Sequence, residues 1–424
     1  MKHCYNQSAG RYKKILDWVA LFSCLSMVAG LFFSRALLSF GILVLWLSSL
    51  HPAVIGGHWK AWKRDPFALL CFGFFGTYLL SGLWSDNQAF WLASVINKLP
   101  FILLPFAFFS VPFEQGRFLR LFVAGLVLMQ LGVIANSLLH LIMNPDYYIH
   151  GYHFSSPLPT TRYGDHIRFS LTLVFSILLL LYLLRESGKR PLKGAWRLAA
   201  LGFIAVFIVY IHILAAKTGL LCLYLAGLIY ALFTVWRKSL AKALFLALGI
   251  LLLPVIAYFL VPTFKTKIDY VIYEIDKSSN GERFDYTLSD AGRMITYELG
   301  GAAIAKHWFT GVGAGDVMDE MKAGYQREYP EVSPDQQYGP INQYMFTALC
   351  VGVPLSLFLI GMSIAPFTYR GRASIYLGLT GFILIISMMV EAMLEVQFGV
   401  FTYLFFLLLW IKIIKKNKSI ASSQ

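Results

Sequence analysis

Ionisable side chains are sparse in this sequence, so the few that interrupt its apolar runs stand out. Arg162, Asp165, His166 and Arg168 crowd into the start of one such run. Lys217 sits in a very short turn between two more, and Arg293 lies in a long polar stretch. Glu391 and Glu395 close another apolar run, and Lys98 lies part of the way into an earlier one. Arg offers a planar fork of donors and Lys a compact point charge, and both suit phosphate oxygens. Cations gathered at one membrane face, with few acids embedded beside them, suit a polyanionic head group, a diphosphate above all. Each residue also has a plainer reading. Arg162 and Arg168 can snorkel to lipid head groups, and Lys98 can meet a buried partner, Asp86 or Glu395, as readily as a ligand. His212, inside an apolar run, reads as a core histidine.

Something must hold these groups in place, and composition says what. Of 424 residues, 58% are hydrophobic and only 14% charged, against roughly a quarter charged in a soluble domain. A membrane helix needs about 20 mainly apolar residues. Runs of that kind fall at 15–33, 36–50, 67–83, 89–111, 121–143, 169–184, 198–214, 220–235, 243–261, 344–364, 375–393 and 398–414. The expected fold is therefore an all-α polytopic membrane protein of about 12 transmembrane helices. The first run has the length of a full span with no small-residue cleavage site, so it reads as a retained helix rather than a signal peptide.

Basic residues orient the bundle. With both ends of the chain cytoplasmic, the cytoplasmic segments hold 23 of the 36 Lys and Arg residues. The exterior segments hold 13, of which 8 lie in the single long loop 262–340. Short loops set topology by this bias, whereas long loops translocate largely regardless of charge. The long loop carries 13 acidic residues against those 8 basic ones. The net charge of +14 thus belongs to loops beside an anionic leaflet, which argues against a nucleic-acid partner. The chain divides into a membrane part, 1–261, the exterior loop, 262–340, and a second membrane part with a basic tail, 341–424. A loop of this length is usually functional, and it carries helical patterns at 292–306 and 316–325. The exterior segment 144–165, rich in Tyr, His and Pro, is placed to order against it.

Within the loop, Gly311-Val312-Gly313-Ala314-Gly315-Asp316 invites comparison with a nucleotide-binding loop. No Lys-Ser/Thr follows it and no strand–helix unit surrounds it. It reads as a tight turn opening a helix, with free backbone N–H groups for an anion or a sugar. The five cysteines form no C-x-x-C pair, which gives no sign of a metal or redox site.

The order of these elements resembles a known family. Ala216-Lys217-Thr218-Gly219 opens a helix, followed by Gly292-Arg293, then His307-Trp308-Phe309-Thr310-Gly311-Val312-Gly313-Ala314-Gly315-Asp316. Pro340-Ile341-Asn342-Gln343-Tyr344 and Gly352-Val353-Pro354 complete it. From about Arg162 onward the chain is similar to the O-antigen ligase and O-antigen polymerase superfamily of bacterial envelope enzymes. The resemblance implies a glycosyltransferase of the bacterial inner membrane, active on the periplasmic side, with neither nucleotide sugar, metal nor other cofactor. Its donor would be a glycan on undecaprenyl diphosphate. Its acceptor would be a hydroxyl on lipid A-core for a ligase, on a second lipid-linked glycan for a polymerase, or on a protein. Lys217 and Arg293 match the family's phosphate-binding basic positions. Lys98, Arg162, Asp165, Arg168, Gly313, Gly315, Asp316, Asn342, Gln343 and Tyr344 become the expected substrate contacts.

In one place the chain departs from the family. The catalytic histidine of the family would fall at Ile341, which cannot accept a proton. Another group could be the base, with His166, His307 and Asp165 as the candidates. Otherwise the motif is locally shifted, or this chain has a different acceptor or no activity. From other classes, a transporter or flippase of lipid-linked glycans lacks the inverted repeat and paired broken helices such folds show; a purely structural membrane subunit is a third reading.

Overall fold

The computed structural model describes residues 2–154, 157–185, 192–235, 239–279 and 289–421. Part of the long loop (280–288) and of two basic loops counted above (186–191 and 236–238) lie outside the described residues. What is described is helical, without a strand. The first half comprises α1 (Lys2–Phe32), α2 (Arg35–Ser49), α3 (Pro52–Trp62), α4 (Pro66–Leu80), α5 (Gln88–Lys98), α6 (Pro100–Ala107), α7 (Gly116–Met143), α8 (Pro145–Gly151) and α9 (His166–Arg185). The second half comprises α10 (Gly194–Leu214), α11 (Lys217–Tyr230), α12 (Leu240–Leu260), α13 (Pro262–Ser279), α14 (Ser289–Lys306), α15 (Val317–Glu328), α16 (Gln343–Ile364), α17 (Ser374–Val390) and α18 (Gln397–Ala421).

Among the described residues, nine segments are long and apolar enough to cross a membrane, and ten if α2 and α3, bent by 106°, form one broken span. The shorter apolar helices Lys217–Phe233 and Ser374–Val390 account for the two remaining runs. The protein is thus a multi-pass membrane protein, and each apolar run in the sequence is helical. Proline places the breaks. Pro100 has no N–H to continue the ladder of α5, so that helix stops at Lys98 and α6 begins at the proline.

Burial is uneven. The span Gln397–Lys415 in α18 is 89% buried within the protein, whereas Leu240–Leu260 is 11% buried. Trp410 of α18 lies face to face with Tyr376 at 5.2 Å and edge-on to Tyr182 at 5.3 Å, tying α17 and α9 to the same hub. Contact between the halves is close where glycine permits it: a Cβ on Gly73 of α4 would lie 2.2 Å from the Phe358 ring of α16.

Long-range polar contacts collect in two groups. In one, Asp65 pairs with Lys415 and accepts the Tyr369 hydroxyl at 3.1 Å, while Lys412 Nζ donates to the Phe109 carbonyl at 2.8 Å. The other joins the turn after α4, the start of α9, the α10–α11 turn, α13, α14 and the end of α17. The helices of the long loop go beyond the sequence patterns. α13 precedes the two loop helices expected, and α14 and α15 each run slightly past their predicted limits. The segment before α9 does pack against α13 of the long loop, and both are tied to the end of α10: Tyr152 donates its hydroxyl to the Leu214 carbonyl at 3.0 Å, and Thr263 of α13 donates to Ile213 at 2.6 Å.

Candidate functional site

The start of α9 supplies the first cation. Gly164 takes a positive φ of 71°, turning the chain so that Asp165, His166 and Arg168 fall on one turn. Arg168 bridges two carboxylates, giving one guanidinium nitrogen to Asp165 and another to Glu391, the residue just past α17. Arg293, near the start of α14, donates to the Val390 carbonyl at 3.0 Å, and its charge is felt at Glu391. His166 places Nδ1 3.2 Å from the Gly164 carbonyl and lies in the field of Lys267 of α13.

Lys217 comes to the same end of the bundle by a tight turn. Ala215 is the one non-glycine residue at positive φ among those described, and it caps α10. Ala216 is extended, so Lys217 becomes the first residue of α11. That helix packs hard on α9, because a Cβ on Gly219 would lie 2.2 Å from Ser170 Oγ. Lys217 Nζ pairs with Glu274 of α13 at 3.1 Å, the lysine being 42% exposed and the acid 3%. Arg162 stays exposed, anchored by its backbone N–H to the Phe32 carbonyl at 3.3 Å.

The expectation of cations with few acids beside them needs correction. Arg168 faces Asp165 and Glu391, and Lys217 faces Glu274. Lys98, fully buried, donates to Glu395 at 2.8 Å. A charge taken out of water persists only when paired, because an isolated one loses several kcal/mol of hydration. For Lys98 this decides between the two readings: its partner is Glu395. Glu395 also accepts from Gln343 at 2.8 Å and from Tyr78 at 3.1 Å, and Gln343 accepts the Leu394 N–H at 2.6 Å. Asn342 caps α16, accepting from the N–H groups of Tyr344 and Met345 at 2.9 and 3.2 Å. The Tyr344 hydroxyl meets Ser363 at 3.0 Å. Of the Asn-Gln-Tyr element, Gln343 ties α16 to the segment after α17, while Asn342 and Tyr344 bond within α16.

The glycine turn also differs from expectation, since its amides are not free for an anion. Gly352 takes φ 81° and ψ 161° inside α16, and Pro354 follows without an N–H. The break leaves the carbonyls of Leu349 and Cys350 without helical donors, and they accept from Val312 and Gly313 at 2.8 and 3.0 Å. Val353 N–H, released from the ladder, donates to the Trp308 carbonyl at 2.8 Å. Ala314 and Gly315 donate to Ser81 and Ser85 at 3.3 and 3.1 Å. Asp316 accepts the N–H groups of Asp86 and Asn87, both at 2.8 Å. The glycines are needed for closeness: a Cβ on Gly311, Gly313 or Gly315 would lie within 2.5 Å of a neighbouring oxygen. Two motifs legible in the sequence, Gly-x-Gly-x-Gly-Asp and Gly-Val-Pro, form one clasp.

His307 lies apart from the cations. It follows the end of α14, whereas Arg293 is near that helix's start, a separation of roughly 20 Å at the rise of an α-helix. Its Nε2 is 3.9 Å from Glu320, and the exposed Trp308 ring packs on Phe309 at 5.4 Å. The structure thus brings together Asp165, His166, Arg168, Lys217 and Arg293, and sets Lys98, His307, the glycine turn and the Asn-Gln-Tyr element outside that cluster. It adds Glu274 and Glu391, which were not among the expected site residues. The signal for Glu391 was its place at the end of an apolar run, where an acid is costly.

Comparison with known proteins agrees with the resemblance. Residues 202–360 match the family model described as O-antigen ligase, a stretch from α10 to α16 that contains Lys217, Arg293, both halves of the clasp and the cap at Asn342. The match supports the O-antigen ligase superfamily and, with it, a glycosyltransferase-like enzyme. No curated protein matches the chain.

Proposed function

Taking the O-antigen ligase match as premise, we propose that this protein transfers a glycan from undecaprenyl diphosphate to a hydroxyl of lipid A-core at the periplasmic face of the bacterial inner membrane. The observation that carries this reading is the convergence of Arg168, Lys217 and Arg293 from α9, α11 and α14 onto one end of the bundle. When the bond from the sugar to the diphosphate breaks, negative charge grows on the departing oxygens. Fixed cations facing that charge stabilise the transition state more than the ground state, which is what accelerates a reaction. Carboxylates hold Arg168 and Lys217, and the Val390 carbonyl holds Arg293, so little reorganisation is needed at the moment of transfer. Lys217, more exposed than its partner, is the cation best placed to reach an incoming phosphate.

The reading includes twelve spans with both ends of the chain cytoplasmic. Two observations support it. The basic residues are biased as the positive-inside rule requires, and the two groups of long-range polar contacts join only segments that a twelve-span alternation puts on the same side. The test is a deletion strain. Its lipopolysaccharide should lose the long-chain ladder while lipid-linked glycan accumulates, and purified protein in vesicles should restore transfer from that donor to lipid A-core. An unchanged ladder, with no transfer in vesicles, would overturn the reading.

A further inference from the structure

Ile341 leaves this chain without a proton acceptor where the resemblance implies histidine. Of the groups first suggested as substitutes, Asp165 is engaged by Arg168 and His307 lies far along α14, while His166, with Nδ1 on the Gly164 carbonyl, keeps Nε2 available and is the rival that its own substitution tests. The ion pair between Arg168 and Glu391 offers something else. Glu391 Oε2 and Arg168 Nε–H are both buried and neither has a hydrogen-bond partner within the protein, although the opposite atoms of the same two groups are bonded to each other. Buried polar atoms are nearly always paired, and an unpaired one is a place where a water, an ion or a substrate group can bind. Here one unpaired acceptor and one unpaired donor sit on the same ion pair. A hydroxyl satisfies both, donating its proton to the carboxylate and accepting from the guanidinium.

The surroundings agree. Glu391 lies within the field of Arg293 as well as Arg168, close to where the diphosphate cations gather. The segment it opens is bound to the turn that holds Ile341: Gln343, two residues on, donates to Glu395 and accepts from Leu394. A base lost at position 341 would thus be replaced from the adjoining segment. We propose that Glu391 is the catalytic base, with Arg168 holding its carboxylate in place. This rests on the transferase reading above. The acceptor oxygen forms a bond to the anomeric carbon as its proton passes to Glu391 Oε2. The bond from that carbon to the diphosphate breaks, and its electron pair leaves on the diphosphate oxygen. Release of the proton to water resets the site.

The experiment uses full-length protein in vesicles with lipid-linked glycan as donor and lipid A-core as acceptor. Glu391→Gln keeps the shape and removes the basicity, so kcat should fall by about 10²–10⁴-fold, the usual contribution of a general base, with the donor KM within a few-fold of wild type. Glu391→Asp keeps a carboxylate and should retain at least tenfold more activity than the amide variant. Wild-type kcat in Glu391→Gln, or equal losses in the two variants, overturns the proposal. Should the amide variant not fold, Glu391→Asp decides alone: transfer above a hundredth of wild type supports the base, and less in folded protein overturns it. Failure of the wild-type protein to transfer at all is a different result, and it strikes the transferase reading rather than the identity of the base.

Discussion

The clasp on α16 and the cation cluster at the start of α9 are built from opposite principles. In the clasp, backbone groups released by the break at Gly352 find partners in the glycine turn, and the turn's amides are engaged in return. In the cluster Arg168 and Lys217 are paired with carboxylates and Arg293 with a carbonyl, yet Arg168 Nε and Glu391 Oε2 are left without partners. A closed network gives rigidity, and an incompletely closed one of buried charges gives a place for something else to bind. The more distinctive sequence pattern therefore builds a closed scaffold, and the scattered cations form the cluster to which the proposed chemistry is assigned.

Substitutions separate the two regions. Lys217→Ala and Arg293→Ala should each lower transfer by about 10²–10³-fold, the range for losing one preorganised group that stabilises charge in the transition state. Folded yield by size-exclusion chromatography should change little, and Lys217→Arg should be largely tolerated because it keeps the charge. Near-wild-type transfer in both alanine variants would remove the cluster from the chemistry and erase the contrast. Gly352→Ala should do the reverse. Its φ of 81° and a Cβ 2.1 Å from the Phe309 carbonyl should lower stability by about 2 kcal/mol or more. Folded yield should drop, with activity per folded molecule kept within a few-fold. If specific activity collapsed while thermal stability held, the clasp would belong to the site after all.

Smaller effects sharpen the boundary. Asn342→Ala removes the cap that holds two N–H groups of α16 and should destabilise by about 1 kcal/mol, read as a modest fall in melting temperature. His166→Ala should change kcat by less than about tenfold, below the usual contribution of a general base, if Glu391 takes the proton. A loss of a hundredfold or more there would return the base to α9.

The helices were legible because a lipid-facing or buried helix must be apolar along its length, and that requirement is written locally. All twelve runs from 15–33 to 398–414 became helix. The turn at Gly311–Asp316 was legible as a turn, but its partner was not: the demand for its amides comes from carbonyls freed at Gly352, in a different element. Charge pairing was equally hidden. Lys98 and Glu395, or Arg168 and Glu391, are distant in the chain, and only the packing of α9 against α17 and of α5 against the segment after it decides which acid meets which base. Sequence flagged these residues as costly without assigning their partners.

The burial of α18 bears on how the protein is made. That helix leaves the ribosome after every helix it touches, yet it is the hub on which Tyr182 and Tyr376 pack through Trp410. Asp65, at the first turn of α4, likewise waits for Lys415 and Tyr369. The earlier helices therefore cannot complete their packing until α18 arrives, because their contacts with Trp410 and Lys415 do not exist before it. Chain interruption before α18 would leave a product inserted in the membrane with its central cleft lined by lipid, recognisable to quality-control proteases as unfinished.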